Sequence, residues 1–173
     1  LKDIILSKYS EISPDSIIVC HDGADKFKGE NLIDSSQRLR IAYAGSLYRG
    51  RGMKIVEFLA KRCKDMTFII IGGKTKDLRI NSENILHIPH VHHSKINNIL
   101  IQCDVLLAPY QKNLTIRNKE GSSSHLWMSP LKIFEYMSLG KPIICSSFSA
   151  IKEVLKDGHN SILVPPSDRK SWL

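Results

Sequence analysis

The sequence predicts an α/β fold, a parallel β-sheet of about six strands with helices on both faces. Short apolar runs rich in Ile and Val recur along the chain, and segments with helical spacing separate most of them. Each run is apolar over consecutive residues, which is typical of strands buried on both faces. Strands that alternate with helices form βαβ units, so the sheet is expected to be parallel. The predicted strands are residues 40–44, 67–71, 84–88, 105–108, 142–145 and 161–164.

Four segments between these strands carry the signals of helices. Residues 53–63 place apolar side chains on one side and charged side chains on the other. Ser94 is expected to cap a second helix. Ser129 at the N-cap and Pro130 in the first turn open a third helix. Residues 149–156 predict a short fourth helix that an Asp-Gly pair ends.

Residues 1–36 differ in pattern from the rest of the chain. They predict a lead-in helix, a strand over residues 16–20 and a polar linker, whereas residues 37–173 contain the alternating pattern of the domain itself. The chain begins on Leu1 without a methionine and ends on Leu173, so we expect a fragment of a longer protein.

The composition is that of a globular chain, with 173 residues, 42% hydrophobic and 24% charged, and a formal net charge of +8 at pH 7. No apolar run approaches the ~20 residues that span a bilayer. The basic residues are scattered, without zinc-finger spacing or an aromatic RNA-binding string, so we expect no nucleic acid partner. The charge instead suits phosphate binding or contact with an anionic membrane surface. The cysteines form no Cys-x-x-Cys pair, which favours reduced thiols in a cytoplasmic protein.

A glycine-rich turn, residues 45–52 (Gly-Ser-Leu-Tyr-Arg-Gly-Arg-Gly), leaves the first strand of the domain and enters a helix. Glycine lets the backbone approach a ligand closely, and the helix N-terminus offers free N–H groups to an anion. Arg51 adds a guanidinium whose geometry matches phosphate oxygens. The segment lacks the Lys-Ser/Thr pair of a Walker A loop. A plain strand-to-helix turn is the alternative interpretation.

A second candidate anion site lies at the start of the helix near Pro130. Proline has no N–H, so the free donors there belong to Leu131 and Lys132, and a diphosphate would fit them. Glu135 follows about one and a half turns later, where its carboxylate could accept hydrogen bonds from sugar hydroxyls. A solvated charge on the helix surface is the alternative interpretation of this glutamate.

Four histidines lie close together in the sequence, at positions His87, His90, His92 and His93. Their spacing lacks the His-Glu-x-x-His pattern of a helical zinc site, and a loop that follows a proline gives no fixed ligand geometry. We therefore expect no metal site here and interpret these residues as loop histidines near a ligand.

Taken together and in order, these segments resemble the C-terminal, donor-binding domain of GT-B type retaining glycosyltransferases of family 4, the glycosyl transferases group 1. Residues 18–25 are similar to the strand and turn that leave the interdomain linker, and residues 43–52 to the family's Gly-Arg-Leu … Lys-Gly loop. Residues 103–109 resemble its Ala-Asp-Val strand, which ends in proline. Residues 132–142 and 153–164 follow the remaining signature in register. The resemblance implies a Rossmann-like sheet that forms one half of a GT-B fold.

The resemblance also implies that the donor is a nucleoside diphosphate sugar, that its anomeric configuration is retained, and that no metal or other cofactor is required. Arg51 and Lys132 are the implied catalytic residues, because they neutralise the leaving diphosphate. Glu135 is implied to bind the ribose, and the backbone of His90 and Val91 to face the base. The implied donor-binding residues are Gly45, Ser46, Arg51, His90, Val91, Ser129, Pro130, Leu131, Lys132 and Glu135.

In the family, an N-terminal domain supplies the acceptor site and often a catalytic histidine. This chain lacks that domain, so we expect the chain alone to be inactive in transfer. The resemblance implies glycan or lipid-linked saccharide biosynthesis in the cytoplasm of a bacterium. It also admits peripheral contact with the inner face of the membrane through the full-length protein.

Three positions depart from the family pattern. Ser46 stands where the family has the loop arginine, Trp127 where it has the first glutamate of its Glu-x7-Glu pair, and Ser129-Pro130 where it has Phe-Gly. The missing glutamate leaves open a non-catalytic nucleotide-sugar binding protein. A GT-B type nucleotide-sugar epimerase is a further alternative, because it shares the same sheet.

Overall fold

The structure is a computed structural model that describes residues 2–30, 32, 38–75, 78, 82–113, 130–166 and 168–173. Its strands, in chain order, are β1 (Arg40–Ala44), β2 (Thr67–Ile71), β3 (Ile85–Ile88), β4 (Val105–Ala108), β5 (Ile143–Ser146) and β6 (Ile162–Val164). Its α-helices are α1 (Lys2–Lys8), α2 (Met53–Arg62), α3 (His93–Leu100), α4 (Leu131–Ser138) and α5 (Ser149–Lys152). Short 3₁₀ helices lie at Pro14–Ser16 and Lys170–Trp172.

Within the described residues, six strands form one parallel sheet in the order β3-β2-β1-β4-β5-β6. The strands β2 and β3 extend the sheet to one side of β1, and β4, β5 and β6 extend it to the other. The direction of the strand order therefore changes between β1 and β4, and the carboxyl edge at such a switch point is the crevice where open α/β sheets bind ligands. The strand order and the parallel pairing confirm the predicted Rossmann-like sheet.

Helices cover both faces of the sheet. Successive side chains of each strand point to opposite faces, so each face contributes to a core of its own. Ala42 and Ala44 of β1 belong to a core that includes residues of α3, α4 and α5. Tyr43, between them, belongs to a second core with α2 and Trp172. The small β1 alanines leave room for larger side chains of α4, among them the fully buried Tyr136. The predicted arrangement of helices on both faces is confirmed.

The hydroxyl of Tyr136 joins the two strands that border the crevice. It accepts a hydrogen bond from the backbone N–H of Ala44 at 3.0 Å and donates one to the carbonyl of Leu107 at 3.3 Å. The registered pairs of β1 and β4 end at Ala42 and Leu106. The tyrosine therefore satisfies the next backbone polar groups along the two strands, where the ladder no longer does.

The structure also bears on two expectations drawn from composition. In the parts of the chain that it describes, no helix is long and apolar enough to cross a membrane. The cysteines are free thiols, and Cys103 and Cys145 are buried, where a thiol behaves as a small apolar side chain. The cytoplasmic location stays a prediction.

The strand predicted over residues 16–20 is wrong. The 3₁₀ helix Pro14–Ser16 leads into extended but unpaired backbone, and the side chains of Ile18 and Val19 are 83% and 51% exposed. A strand needs a neighbour that satisfies its backbone groups, and the described sheet places none beside this segment. The β-branched residues favour extended backbone but do not supply a neighbouring strand.

Two predicted helix starts are corrected. The cap of α3 is His92 and not Ser94, because the His92 ring accepts a hydrogen bond from the backbone N–H of Ser94 at 3.4 Å. Pro130 is the N-cap residue of α4 and not a residue of its first turn. Ser129, the predicted cap of α4, lies outside the described residues.

The fourth predicted helix, residues 149–156, is longer than the observed α5. The chain tightens after α5 into a turn in which the N–H of Val154 donates to the carbonyl of Ile151 at 3.0 Å, a 3₁₀-type bond that often ends a helix. The strands β3, β5 and β6 each begin one residue later than predicted.

Candidate functional site

Backbone hydrogen bonds join the loops that leave the first three strands at the carboxyl edge of the sheet. In each bond the first residue donates its N–H to the carbonyl of the second: Gly45 to Ile71 at 2.8 Å, Gly72 to Ile88 at 2.9 Å, and His90 to Gly73 at 3.0 Å. Gly72 has a φ of +114°, and a Cβ added to it would lie 2.4 Å from the carbonyl oxygen of Gly45. The close approach of these loops therefore depends on glycine backbone.

The loop after β1 also contacts the loop after β4, across the crevice. The N–H of Gln111 donates to the carbonyl of Gly50 at 2.8 Å. A Cβ on Gly52 would lie 2.0 Å from the carbonyl oxygen of Pro109, so backbone packs directly on backbone there. Arg51 lies between these two glycines and is held by contacts on both sides.

Lys132, the second residue of α4, places its amine against the end of β1. Its Nζ lies 4.2 Å from the ring centroid of Tyr43 and 5.3 Å from the ring centroid of Tyr110. A Cβ on Gly45 would lie 2.7 Å from this nitrogen, so the amine occupies space that only glycine leaves open. The Nζ atom is buried and has no hydrogen-bond partner among the residues that the structure describes.

Arg51 approaches the ring of Tyr110 from the loop after β1. Its guanidinium carbon lies 5.9 Å from the ring centroid of Tyr110, and its buried Nε has no hydrogen-bond partner within the described residues. Two basic side chains, one from the loop after β1 and one from the first turn of α4, thus share one tyrosine ring at the carboxyl edge of the sheet. Such a pair, at the place where open α/β sheets bind ligands, suits an anion.

The protonation of Lys132 depends on its surroundings. Burial, with a smaller contribution from the charge of Arg51, lowers the pKa of Lys132 from 10.5 to about 7. Cys145 and Glu135 oppose this shift. Burial also raises the pKa of the two tyrosines that flank the amine, so both rings stay neutral. The amine of the unliganded site therefore titrates near neutral pH, and an anion beside it would favour its charged form.

Glu135 also lies on α4, three residues after Lys132, and contacts the start of α3. Its Oε1 accepts a hydrogen bond from Nε2 of His93 at 2.9 Å. The side chain of Glu135 is 31% exposed, so the carboxylate remains open to a ligand. This contact connects α4 with the segment after β3 that contains His90 and Val91.

The other predicted site residues in the loops after β1 and β3 also have defined contacts. The carbonyl of Ser46 accepts a hydrogen bond from the Tyr43 hydroxyl at 2.7 Å, and Val91 packs against the core with its side chain. The N–H of His90 donates to the carbonyl of Gly73 at 3.0 Å.

On the α4 side, Pro130 is buried and Leu131 is the first helical residue, with a side chain that is 57% exposed. The first N–H groups of a helix have no intrahelical acceptor, and in α4 these groups include the N–H groups of Leu131 and Lys132. Ser129 and Trp127 lie outside the described residues.

A family profile described as "Glycosyl transferases group 1" matches residues 38–173. The chain belongs to this family. A comparison with curated proteins gives no match.

Solved structures show what the fold of this group 1 chain is similar to. The apo form of the lipopolysaccharide outer core galactosyltransferase WaaB superposes with a TM-score of 0.72 at 17% identity, over 99% of this chain and 48% of that chain. A glycosyltransferase from Rickettsia africae gives a TM-score of 0.69 at 15% identity, over 97% and 48%. Anabaena HepE in complex with UDP gives 0.59 at 16% identity, over 78% and 37%. The chain therefore spans about half the length of these proteins, or less.

Three residues of this candidate site were not predicted in the roles that the structure gives them. Tyr43 and Tyr110 flank the Lys132 amine, and His93 bonds to Glu135. A signal for the tyrosines does exist in the sequence, because each lies at or just after the carboxyl end of a strand that borders the crevice. No sequence pattern pairs His93 with Glu135, because the contact joins two helices of different βαβ units.

Within the described residues, no three His, Cys, Asp or Glu side chains are arranged to hold a metal ion. Three of the clustered histidines have other contacts. His87 places Nε2 2.9 Å from the carbonyl oxygen of Gly72, His92 caps α3, and His93 contacts Glu135. The independence of this group 1 chain from metals and other cofactors stays a prediction.

Proposed function

We propose that this chain is the donor-binding half of a retaining glycosyltransferase, which moves a sugar from a nucleoside diphosphate sugar to an acceptor. The observation that carries the proposal is the convergence of Lys132 and Arg51 on the ring of Tyr110, with buried nitrogens that lack hydrogen-bond partners among the described residues. Membership of the glycosyl transferases group 1 supports glycosyl transfer. Anabaena HepE, which has a similar fold, has been solved with UDP and with UDP-glucose.

The diphosphate of the donor would lie over Gly45, between the Lys132 amine and the Arg51 guanidinium. Gly45 has a φ of +148° and no side chain, so a phosphate can approach its backbone directly. The N–H groups of Leu131 and Lys132 at the start of α4 would donate to phosphate oxygens, which a helix N-terminus favours through its dipole.

The two basic side chains would act on the leaving group. As the bond between the anomeric carbon and the diphosphate breaks, negative charge accumulates on the diphosphate while the sugar carbon becomes cationic. Positive groups that are already in place stabilise this charge without reorganisation during the reaction. Arg51 and Lys132 would supply this stabilisation, so we propose that transfer requires neither a metal ion nor another cofactor.

The nucleoside would lie between α4 and the loop after β3. Glu135 would accept hydrogen bonds from the ribose hydroxyls, because its carboxylate is partly exposed on α4, next to this loop. The carbonyl of His90 and the neighbouring backbone of Val91 would face the base.

The acceptor would bind to a further domain. WaaB and the Rickettsia africae glycosyltransferase are about twice as long as the part that this chain matches. We therefore assign residues 37–173 to the donor domain and residues 1–36 to a lead-in and linker toward an N-terminal acceptor domain. The chain alone would bind the donor without completing transfer. The full-length protein would act in bacterial glycan or lipid-linked saccharide biosynthesis, in the cytoplasm or at the inner face of the membrane.

Calorimetric titration of the chain with UDP, GDP and ADP tests the donor site. We expect one of these nucleotides to bind at a single site, and the double variant Arg51→Ala with Lys132→Met to lose that binding. Failure of all three to bind would contradict the proposal.

Transfer itself requires the longer protein. Transfer of a sugar to an acceptor by that protein would support the transferase. Donor binding without transfer would favour the non-catalytic binding protein, and interconversion of the donor sugar without an acceptor would favour the epimerase.

A further inference from the structure

One hydrogen bond links two parts of the proposed nucleoside site. His93 is the first residue of α3, and it follows the loop that contains His90 and Val91. Its Nε2 lies 2.9 Å from Oε1 of Glu135 on α4. The segment that would face the base and the carboxylate that would bind the ribose are therefore bonded to each other. A role for this bond in nucleoside recognition rests on the proposed function.

The geometry leaves Glu135 able to bind a ligand while His93 holds it. A carboxylate has two oxygens with about four lone-pair positions, and His93 occupies one of them on Oε1. The side chains are 31% exposed for Glu135 and 72% exposed for His93, so the pair lies at the surface and not in the core. An exposed glutamate without such a contact samples several rotamers and loses that freedom when it binds.

We propose that His93 is a positioning residue for ribose recognition, whose ring N–H holds the Glu135 carboxylate where it accepts hydrogen bonds from the ribose hydroxyls. Nε2 carries a hydrogen in the protonated ring and in one neutral tautomer, so the bond can form in both states. A carboxylate that is already oriented loses less conformational freedom on binding and therefore binds the ribose more tightly. His93 acts through Glu135 and need not touch the nucleotide.

Discrimination between UDP and 2′-deoxy-UDP isolates this role, because the two ligands differ by one ribose hydroxyl. Both would be titrated against the unchanged chain and the variants His93→Phe and His93→Gln. If GDP or ADP binds in place of UDP, that nucleotide and its 2′-deoxy form are used. We expect His93→Phe to weaken UDP binding about 3- to 10-fold, the effect of ordering one side chain that is no longer held in place, and to weaken 2′-deoxy-UDP binding less. His93→Gln should restore the discrimination, since its amide also donates.

His159→Phe is the matched control, because His159 is an exposed histidine in a different loop. It should leave both affinities unchanged. In a Glu135→Ala background, His93→Phe should no longer change the ratio of the two affinities, because the residue that it positions is absent.

Two results would overturn the role of His93: an unchanged ratio in His93→Phe, or an effect of His93→Phe on the ratio that persists in Glu135→Ala. If the unchanged chain binds none of UDP, GDP and ADP, the proposed function itself fails. Nucleotide binding with a ratio that does not depend on His93 contradicts the positioning role alone.

Discussion

The amine nitrogen of Lys132 lies 4.2 Å from the centroid of the Tyr43 ring, in a place where the described residues offer it no hydrogen bond. An aromatic face attracts a cation by about 0.5–2 kcal/mol, which is less than the cost of removing an ammonium group from water. The unliganded site is therefore incompletely compensated, and a bound anion would supply the missing interaction.

Replacement of Lys132 by Met is expected to stabilise the unliganded chain and to weaken donor binding. The pKa of this amine is about 7 in the folded chain against 10.5 in its ordinary state, so the unfolded chain binds more protons between these pH values. The amine therefore costs stability below pH 7, and this cost disappears as the pH rises from 7 to 10.5. We expect the free energy of unfolding at pH 6 to rise by about 1–3 kcal/mol, measured by urea unfolding, and nucleotide affinity to fall.

Lys152→Met is the control for this substitution, because Lys152 is an exposed residue at the end of α5. It should change neither the free energy of unfolding nor nucleotide affinity. A Lys132→Met variant that is no more stable than the unchanged chain at pH 6 would contradict the uncompensated burial of the amine.

Nucleoside diphosphate binding is expected to take up a proton at Lys132 and to weaken as the pH rises. At pH 8–10 the amine of the free site is largely neutral, and a diphosphate favours its charged form. Affinity should therefore fall between about pH 8 and 10, a range in which the terminal phosphate is already ionised. Titration in buffers of different ionisation enthalpy measures the uptake directly. The uptake should vanish in Lys132→Met, and an uptake that remains there would belong to another group.

Arg51→Ala is expected to weaken nucleotide binding by about 1–3 kcal/mol, the usual cost of a lost hydrogen bond to a charged group. It should also shift the pH dependence of binding to higher pH, because the charge of Arg51 lowers the pKa of Lys132. Arg62→Ala is the control, since Arg62 packs on the ring of Phe58. Unchanged affinity in Arg51→Ala would show that Arg51 does not contact the nucleotide.

Gly45→Ala is expected to reduce nucleotide affinity, and this reduction should be larger than the loss of folding stability accounts for. The added Cβ would lie 2.7 Å from the Lys132 nitrogen, and the flexible lysine would move out of its place above the loop. The φ of +148° adds backbone strain of about 1–3 kcal/mol. Gly158→Ala separates the two effects, because Gly158 has a φ of +69° but nothing within 4 Å of an added Cβ. Calorimetry should find normal affinity in Gly158→Ala and reduced affinity in Gly45→Ala; equal affinities would contradict the lysine contact.

Tyr136→Phe is expected to lower the free energy of unfolding by about 1–3 kcal/mol, the cost of buried polar groups left without a partner. The N–H of Ala44 and the carbonyl of Leu107 would both lose the tyrosine hydroxyl, at a place where β1 and β4 no longer pair. Urea unfolding measures the loss, with Tyr9→Phe as the control because the Tyr9 side chain is 51% exposed. A loss no larger than that of Tyr9→Phe would show that other groups satisfy these backbone atoms.

Several elements could be predicted from the sequence because their signals are local. The strands β1, β2 and β4 lie at the residues predicted for them, since a strand buried on both faces leaves an uninterrupted apolar run. The candidate anion groups were also local: a glycine-rich turn with Arg51, and the first N–H groups of the helix that contains Lys132. Their placement at one edge followed from the rule that loops at the carboxyl ends of parallel strands meet.

Local signals also explain the errors. The segment 16–20 has strand propensity, but propensity does not supply a neighbouring strand. Ser94 is a good cap residue, yet the ring of His92 takes that position because of how the loop after β3 enters α3. Residue type alone does not show which of two nearby residues caps a helix, since the position of the cap depends on the path of the chain before the helix.

The fold class, most of the strands and helices, the family and the residue types of a candidate anion site can be deduced from the amino-acid sequence. The contacts between side chains become visible in the fold: Lys132 touches the rings of Tyr43 and Tyr110, and His93 touches Glu135, 42 residues further along the chain. The two kinds of information differ in their range along the chain. Helix and strand patterns repeat over two to four residues, whereas these contacts arise from the order of the strands and from helices that pack on the same face of the sheet.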